Sequence, residues 1–140
     1  MEVYTVAKYG DLGIAAARKS GLSGQDPREA WDALADEAFG KGRAKCCPRS
    51  AFLGLCGAGL VKGIPPGKYA RSTLNGDRAI KAVEILARNP ELTYSQAELW
   101  RLVAGRKGIG HDQQMTVVLA LWGEGLIAVP GCVVDSTATN

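Results

Sequence analysis

Cysteine is the most reactive residue type in this sequence, and one cysteine has neighbours that favour reactivity. Cys47 precedes Pro48 at the predicted start of a helix, with Lys45 and Arg49 close by. The positive end of a helix and nearby cations both lower the pKa of a thiol. A thiol nucleophile also needs a base, and the single histidine, His111, lies in no recognisable Cys/His signature. A cysteine-dependent enzyme is therefore kept as the second alternative, and no catalytic residue is assigned.

The same side chains supply the ligand types that zinc prefers. The five candidates by residue type are Cys46, Cys47, Cys56, Cys132 and His111. Zinc sites usually contain a closely spaced Cys-x-x-Cys pair, and the sequence has none. The 18 glycines form no phosphate-binding motif either, since no Gly-Lys-Ser/Thr occurs. We therefore expect no metal and no cofactor.

Basic residues are concentrated in two predicted loops, each of which leads into a helix. The candidate binding residues lie in these loops and in the first turn of the last helix: Lys41, Arg43, Lys45, Arg49, Arg106, Lys107, His111 and Gln114. Helix N-termini attract anions. Three interpretations remain open, namely a solvated loop, contact with nucleic-acid phosphates, and contact with an acidic protein surface.

A helix-turn-helix arrangement is one way in which the second half would bind DNA. Ser95 to Val103, a glycine-rich turn and His111 to Trp122 have the order of the last two helices of a winged-helix unit. A recognition helix must present a polar face to the groove. Here Val117, Ala120 and Leu121 occupy that face. Nucleic-acid binding is therefore the first alternative rather than the leading hypothesis.

Composition is that of an ordinary globular domain. The chain has 140 residues, 46% hydrophobic and 22% charged, with a net charge of +3, and its pI is near 8.7. The N-terminal residues do not have the pattern of a secretory signal, and no apolar run approaches the roughly 20 residues of a membrane span. Four cysteines without an export signal indicate reduced thiols. We expect a cytoplasmic protein with no membrane association.

Capping residues and helical periodicity predict an all-α fold of about six helices. Asp26-Pro27-Arg28-Glu29 and Ser95-Gln96-Ala97-Glu98 both have the spacing of a capping box. The predicted helices run over 11–20, after Asp26, from Pro48, from Asp77 to Asn89, after Ser95 and from His111 or Asp112.

The two halves of the sequence correspond, which predicts a pseudo-twofold tandem repeat of a three-helix unit. Gly10-Asp11 corresponds to Gly76-Asp77 at a separation of 66 residues, and the pattern Leu-x-Leu-x-Gly-x-Gly-Leu starts at both Leu53 and Leu119. Trp31 and Trp100 follow the two capping boxes at equal distances. The predicted organisation is one domain over 1–134 and a disordered tail over 135–140, with repeat one at 9–64, a linker at 65–75 and repeat two at 76–130.

The third helix of each repeat is apolar around its circumference. Residues 51–60 and 116–122 contain few polar side chains, and a helix without a polar face belongs in the interior. We therefore expect these two helices to form the centre, with Gly54 permitting close approach. Cys56 corresponds to Trp122, which predicts a core position for this thiol.

Two blocks resemble a known family. They are Cys47 to Pro65, which begins with the pattern CPxxAFLGLC, and Gln114 to Trp122. Both are similar to a family of small uncharacterised bacterial proteins that contain a domain of unknown function. The resemblance implies no catalytic or binding residues.

The leading hypothesis from the sequence is a non-enzymatic protein that binds another macromolecule. The absence of a recognisable active site and the presence of basic loops in both halves favour an adaptor, or an inhibitor of the type that mobile elements and phages encode. The expected partner is another protein, with nucleic acid as the alternative.

Overall fold

The computed structural model describes residues 8–70, 74–104 and 113–128. Within these residues the chain forms six α-helices and no β-strand, so the predicted all-α class is confirmed. The helices are α1 (Lys8–Ser23), α2 (Pro27–Phe39), α3 (Cys46–Gly57), α4 (Leu74–Arg88), α5 (Gln96–Ala104) and α6 (Gln114–Gly123). In these parts of the chain no helix is long and apolar enough to cross a bilayer.

Helix boundaries differ from the predictions at α1, α4 and α6. α1 extends beyond 11–20 at both ends, and α4 begins before Asp77. Their first turns contain Gly10 and Gly76, which have low helix propensity but are buried against other helices. Packing therefore overrides local propensity there. The predicted start of α6 lies at residues 111–112, outside the described residues; α6 begins at Gln114.

Both predicted helix caps form. The Asp26 carboxylate accepts a hydrogen bond from the backbone N–H of Arg28 at 2.8 Å. At the start of α5, the Glu98 backbone N–H donates to Ser95 Oγ at 3.1 Å, and the Ser95 N–H donates to Glu98 Oε1 at 2.8 Å. The second arrangement is the reciprocal capping box that the sequence predicts.

The two apolar helices lie in the interior, as predicted. Every residue of α6 from Gln114 to Trp122 is buried or half-buried, and the core face of α3 includes Phe52 and Leu55 with no solvent exposure. Trp31 is also fully buried and stacks on Phe52 with ring centroids 5.1 Å apart. The sequence therefore identifies the centre of the molecule correctly.

The first helix of each half packs on the third helix of the other half. α1 packs along α6, and α4 packs along α3. A Cβ placed on Gly10 would meet Thr116 and Ala120 on α6, whereas a Cβ on Gly76 would meet Gly54 and the Ser50 carbonyl on α3. Thr116 and Ala120 lie 66 residues after Ser50 and Gly54, so the two close approaches involve corresponding positions.

The chain segments that follow α3 and α6 pair with one another. Val61 and Ile127 form an isolated antiparallel bridge. The Lys62 N–H donates to the Leu126 carbonyl at 2.9 Å, and the Ala128 N–H donates to the Leu60 carbonyl at 2.7 Å. Each residue pairs with the counterpart of its partner, which is the contact pattern expected across a twofold axis. The duplication itself stays a prediction, and these contacts support it.

Candidate binding surface at the α2–α3 loop

The connection between α2 and α3 contains most of the predicted basic residues; we call residues 40–45 the basic loop. Gly40 and Gly42 have φ angles of 100° and 75°, a region that glycine occupies without the steric cost that other residues meet. The Gly40 N–H donates to the Asp36 carbonyl, which ends α2, and the Arg43 N–H donates back to the Gly40 carbonyl. Two glycines therefore allow a tight turn that leads directly into α3.

The basic loop is attached to α1 through an aromatic contact and a hydrogen bond. The Lys45 backbone N–H donates to the Tyr9 hydroxyl at 2.8 Å. The Tyr9 ring stacks on Phe39, the last residue of α2, with centroids 4.5 Å apart. Lys8 places its ammonium 4.7 Å from the centre of the Phe39 ring. The loop backbone is therefore held in place before any partner arrives.

The structure brings four of the predicted basic residues to this surface. Lys41, Arg43 and Lys45 are exposed, whereas Arg49 is half-buried on the first turn of α3. The Arg49 guanidinium donates two hydrogen bonds to the Asp32 carboxylate, at 2.8 and 3.1 Å. Arg49 is thus already paired with an acidic residue of α2, and the loop residues supply the remaining positive charge.

The other predicted site residues are not part of this surface. Arg106, Lys107 and His111 lie outside the described residues. Gln114 is only 2% exposed, and its Nε2 donates to Asn75 Oδ1 at 3.0 Å. Because its amide faces the interior beside α4, Gln114 joins α6 to α4 and is not displayed with the loop residues.

The start of α3 complements the charge of the basic loop. Its first turn contains Cys46, Cys47, Pro48 and Arg49 and no acidic residue. Backbone N–H groups at a helix start carry partial positive charge, which adds to that of the loop. An anionic group, such as a carboxylate or a phosphate, is the ligand that this electrostatic environment favours.

The cysteines occupy three different environments. Cys46 is exposed, Cys47 is half-buried and Cys56 is buried. Burial raises the pKa of the Cys56 thiol, so this thiol stays protonated and has the predicted core role. The described residues contain no cluster of histidine, cysteine or acidic side chains that would hold a metal ion. Cys132 and His111, the other proposed zinc ligands, lie outside them.

Two residues of this surface were not identified from the sequence. Tyr9 is 36 residues from Lys45, and Asp32 is 17 residues from Arg49. Neither spacing is a helical or turn periodicity, because both contacts depend on how α1, α2 and α3 pack together. A tyrosine near the start of a helix gives no local signal that its hydroxyl anchors a distant loop.

A family model for a family of unknown function (DUF6979) matches residues 6–128. No curated protein and no solved structure matches the chain. The matched range includes all six helices and the basic loop. The chain therefore belongs to this family of unknown function.

Proposed function

We propose that this protein is a non-enzymatic binding protein, an adaptor or an inhibitor, that recognises an acidic surface of another protein through the basic loop. One observation carries the proposal: Lys41, Arg43 and Lys45 are exposed on a backbone that the Tyr9 hydroxyl fixes at Lys45. A loop that is ordered beforehand loses less conformational entropy when it binds.

The test is a comparison of three forms of the full-length chain as bait in a lysate of the native host. The wild type is compared with the triple variant Lys41→Ala, Arg43→Ala, Lys45→Ala. The matched control removes three exposed lysines elsewhere, Lys62, Lys68 and Lys81. We expect the wild type and the control to retain the same partner and the loop variant to lose it. A partner retained by all three baits contradicts the proposal.

Nucleic acid is the other ligand that would use these charges, and salt dependence distinguishes it. A duplex contacted by three cations should lose about 3 units from the slope of log affinity against log salt after the triple substitution, at roughly 0.9 per phosphate. Duplex binding with this change in slope, together with a captured partner that nuclease removes, would replace the protein partner with nucleic acid.

A further inference from the structure

A groove of about 530 Å³ lies between α1 and α2, directly beside the basic loop. Its lining residues recur at helical spacing on both helices: Lys8, Asp11, Leu12 and Ala15 on α1, and Leu34, Glu37 and Ala38 on α2. The floor is apolar, with Leu12 buried and Leu34 half-buried, while Ala15 and Ala38 are exposed at the edges. The groove is therefore an apolar strip bordered by charged side chains.

The groove and the basic loop form one continuous surface. Lys8 lines the groove and also contacts Phe39. Phe39 stacks on Tyr9, whose hydroxyl accepts the Lys45 N–H. Along α1 the groove extends from Lys8 to Ala15, about 10 Å at 1.5 Å per residue. A ligand lying in it would meet the basic loop at one end.

We propose that this groove binds an amphipathic helix of the protein partner, whose apolar stripe covers two turns and whose acidic residues contact the basic loop. Apolar residues at i, i+3 or i+4, and i+7 span the same two turns as the groove. The exposed carboxylates of Asp11 and Glu37 at the groove edge favour basic residues flanking that stripe. Three exposed cations at the loop end favour acidic residues there. This proposal rests on the proposed function and defines the partner more closely.

The corresponding positions of the second half have a different character. Arg78 and Lys81 lie 66 residues after Leu12 and Ala15. The Arg78 guanidinium lies 5.3 Å from the centre of the Trp100 ring. Small and apolar residues thus line the groove in the first half where α4 has long basic side chains. The two halves are therefore unequal at this face, and the groove residues belong to the first half.

The proposal is tested by selecting helical peptides on the immobilised full-length chain from a randomised library displayed on phage. We expect enriched peptides with an apolar stripe over two turns and acidic residues at one end. Ala15→Lys and Ala38→Lys, which fill the groove with long side chains, should weaken the leading synthetic peptide by about tenfold or more, as at a binding hot spot. Ala33→Lys, on an exposed position of α2 outside the groove lining, should change affinity by less than about twofold.

Three results overturn the proposal. The first is no enrichment, or enriched peptides that bind the groove variants as tightly as the wild type. The second is a wild-type dimer that Ala15→Lys converts to monomer, which would assign the groove to a second copy of the chain. The third is tighter peptide binding after removal of residues 1–7, which would assign it to the chain's own N-terminus.

The loop variants separate this proposal from the proposed function. If the groove variants lose the host partner and the loop triple variant retains it, the groove stands and the basic loop fails. If the loop triple variant loses the partner while Ala15→Lys and Ala38→Lys retain it, the groove fails and the proposed function stands.

Discussion

Gly54 of α3 and Gly76 of α4 lie in direct backbone contact, since a Cβ added to Gly54 would stand 2.3 Å from the Gly76 Cα. No flexible side chain is available there to move aside, so Gly54→Ala must separate the two helices. Overpacking costs about 1–3 kcal/mol, and a clash with backbone belongs at the upper end. We expect a decrease of about 2 kcal/mol in the free energy of unfolding, measured by urea denaturation, after the gain in helix propensity is subtracted.

Two other glycines provide a graded control for this prediction. A Cβ on Gly10 would approach the Ala120 methyl at 3.0 Å, whereas Gly123 has nothing within 4 Å of the added atom. We expect Gly10→Ala to be close to neutral, because the gain in propensity offsets the tighter contact, and Gly123→Ala to be neutral or stabilising. Equal effects at Gly54 and Gly123 would contradict the close approach of α3 and α4.

The ion pair at the start of α2 should make stability depend on pH. A hydrogen bond from the Arg28 guanidinium lowers the pKa of Asp26 from 3.8 to about 2. Because the pKa is lower in the folded state than in the unfolded state, this contribution is complete above about pH 4 and is lost as the pH falls toward 2. Asp26→Asn retains a capping oxygen and removes the charge.

The measurement is the thermal unfolding midpoint of the wild type and Asp26→Asn between pH 2 and pH 5. We expect the difference between them to shrink as the pH falls, with the wild type losing more. Glu84→Gln, at an exposed carboxylate of α4, serves as the control and should follow the wild type. Parallel curves for all three proteins would show that the Asp26–Arg28 pair contributes nothing.

Removal of the Tyr9 hydroxyl should loosen the basic loop without changing its charge. Tyr9→Phe retains the ring that stacks on Phe39 and deletes the acceptor of the Lys45 N–H. We expect faster hydrogen exchange at the Lys45 amide and a loss of about 1 kcal/mol of stability. Affinity for the partner should also decrease. Tyr69→Phe, which deletes a hydroxyl that donates to the Pro65 carbonyl, is the matched control, and an unchanged Lys45 amide in Tyr9→Phe would contradict the anchor.

Thiol exposure predicts an order of chemical labelling. Under native conditions iodoacetamide should modify Cys46 first, whereas Cys56 should react only after unfolding, because it is buried and its pKa is raised. Trypsin places Cys46 and Cys47 in the peptide 46–49 and Cys56 in the peptide 50–62, so mass spectrometry separates the two. Labelling of the second peptide in the folded protein would contradict the core position of Cys56.

Much of the fold follows from local sequence signals. Asp26 and the Ser95–Glu98 capping box mark helix starts because their side chains satisfy N–H groups within the same turn. The uniformly apolar helix around Val118 predicts its own burial, which the structure confirms. These features depend on neighbours a few residues away, and sequence reasoning works well at that range.

The candidate site depends on contacts that no local pattern specifies. The Arg49–Asp32 ion pair joins two helices, and its geometry depends on how α2 and α3 cross. Gln114 has the polarity of a surface residue, yet it is buried because Asn75 of α4 supplies a partner for its amide. The pairing of α1 with α6 was likewise absent from the sequence interpretation, since periodicity shows which face is apolar but not which helix covers it.

The pairing of α1 with α6 also determines when the protein is able to fold during synthesis. The face of α1 that includes Gly10 and Gly13 finds its contacts at Thr116, Val117 and Ala120, more than a hundred residues later. A ribosome therefore releases the first helix long before its partner is made. Until the last helix emerges, the apolar side of the first is a target for chaperones, and the native structure closes only near the end of translation.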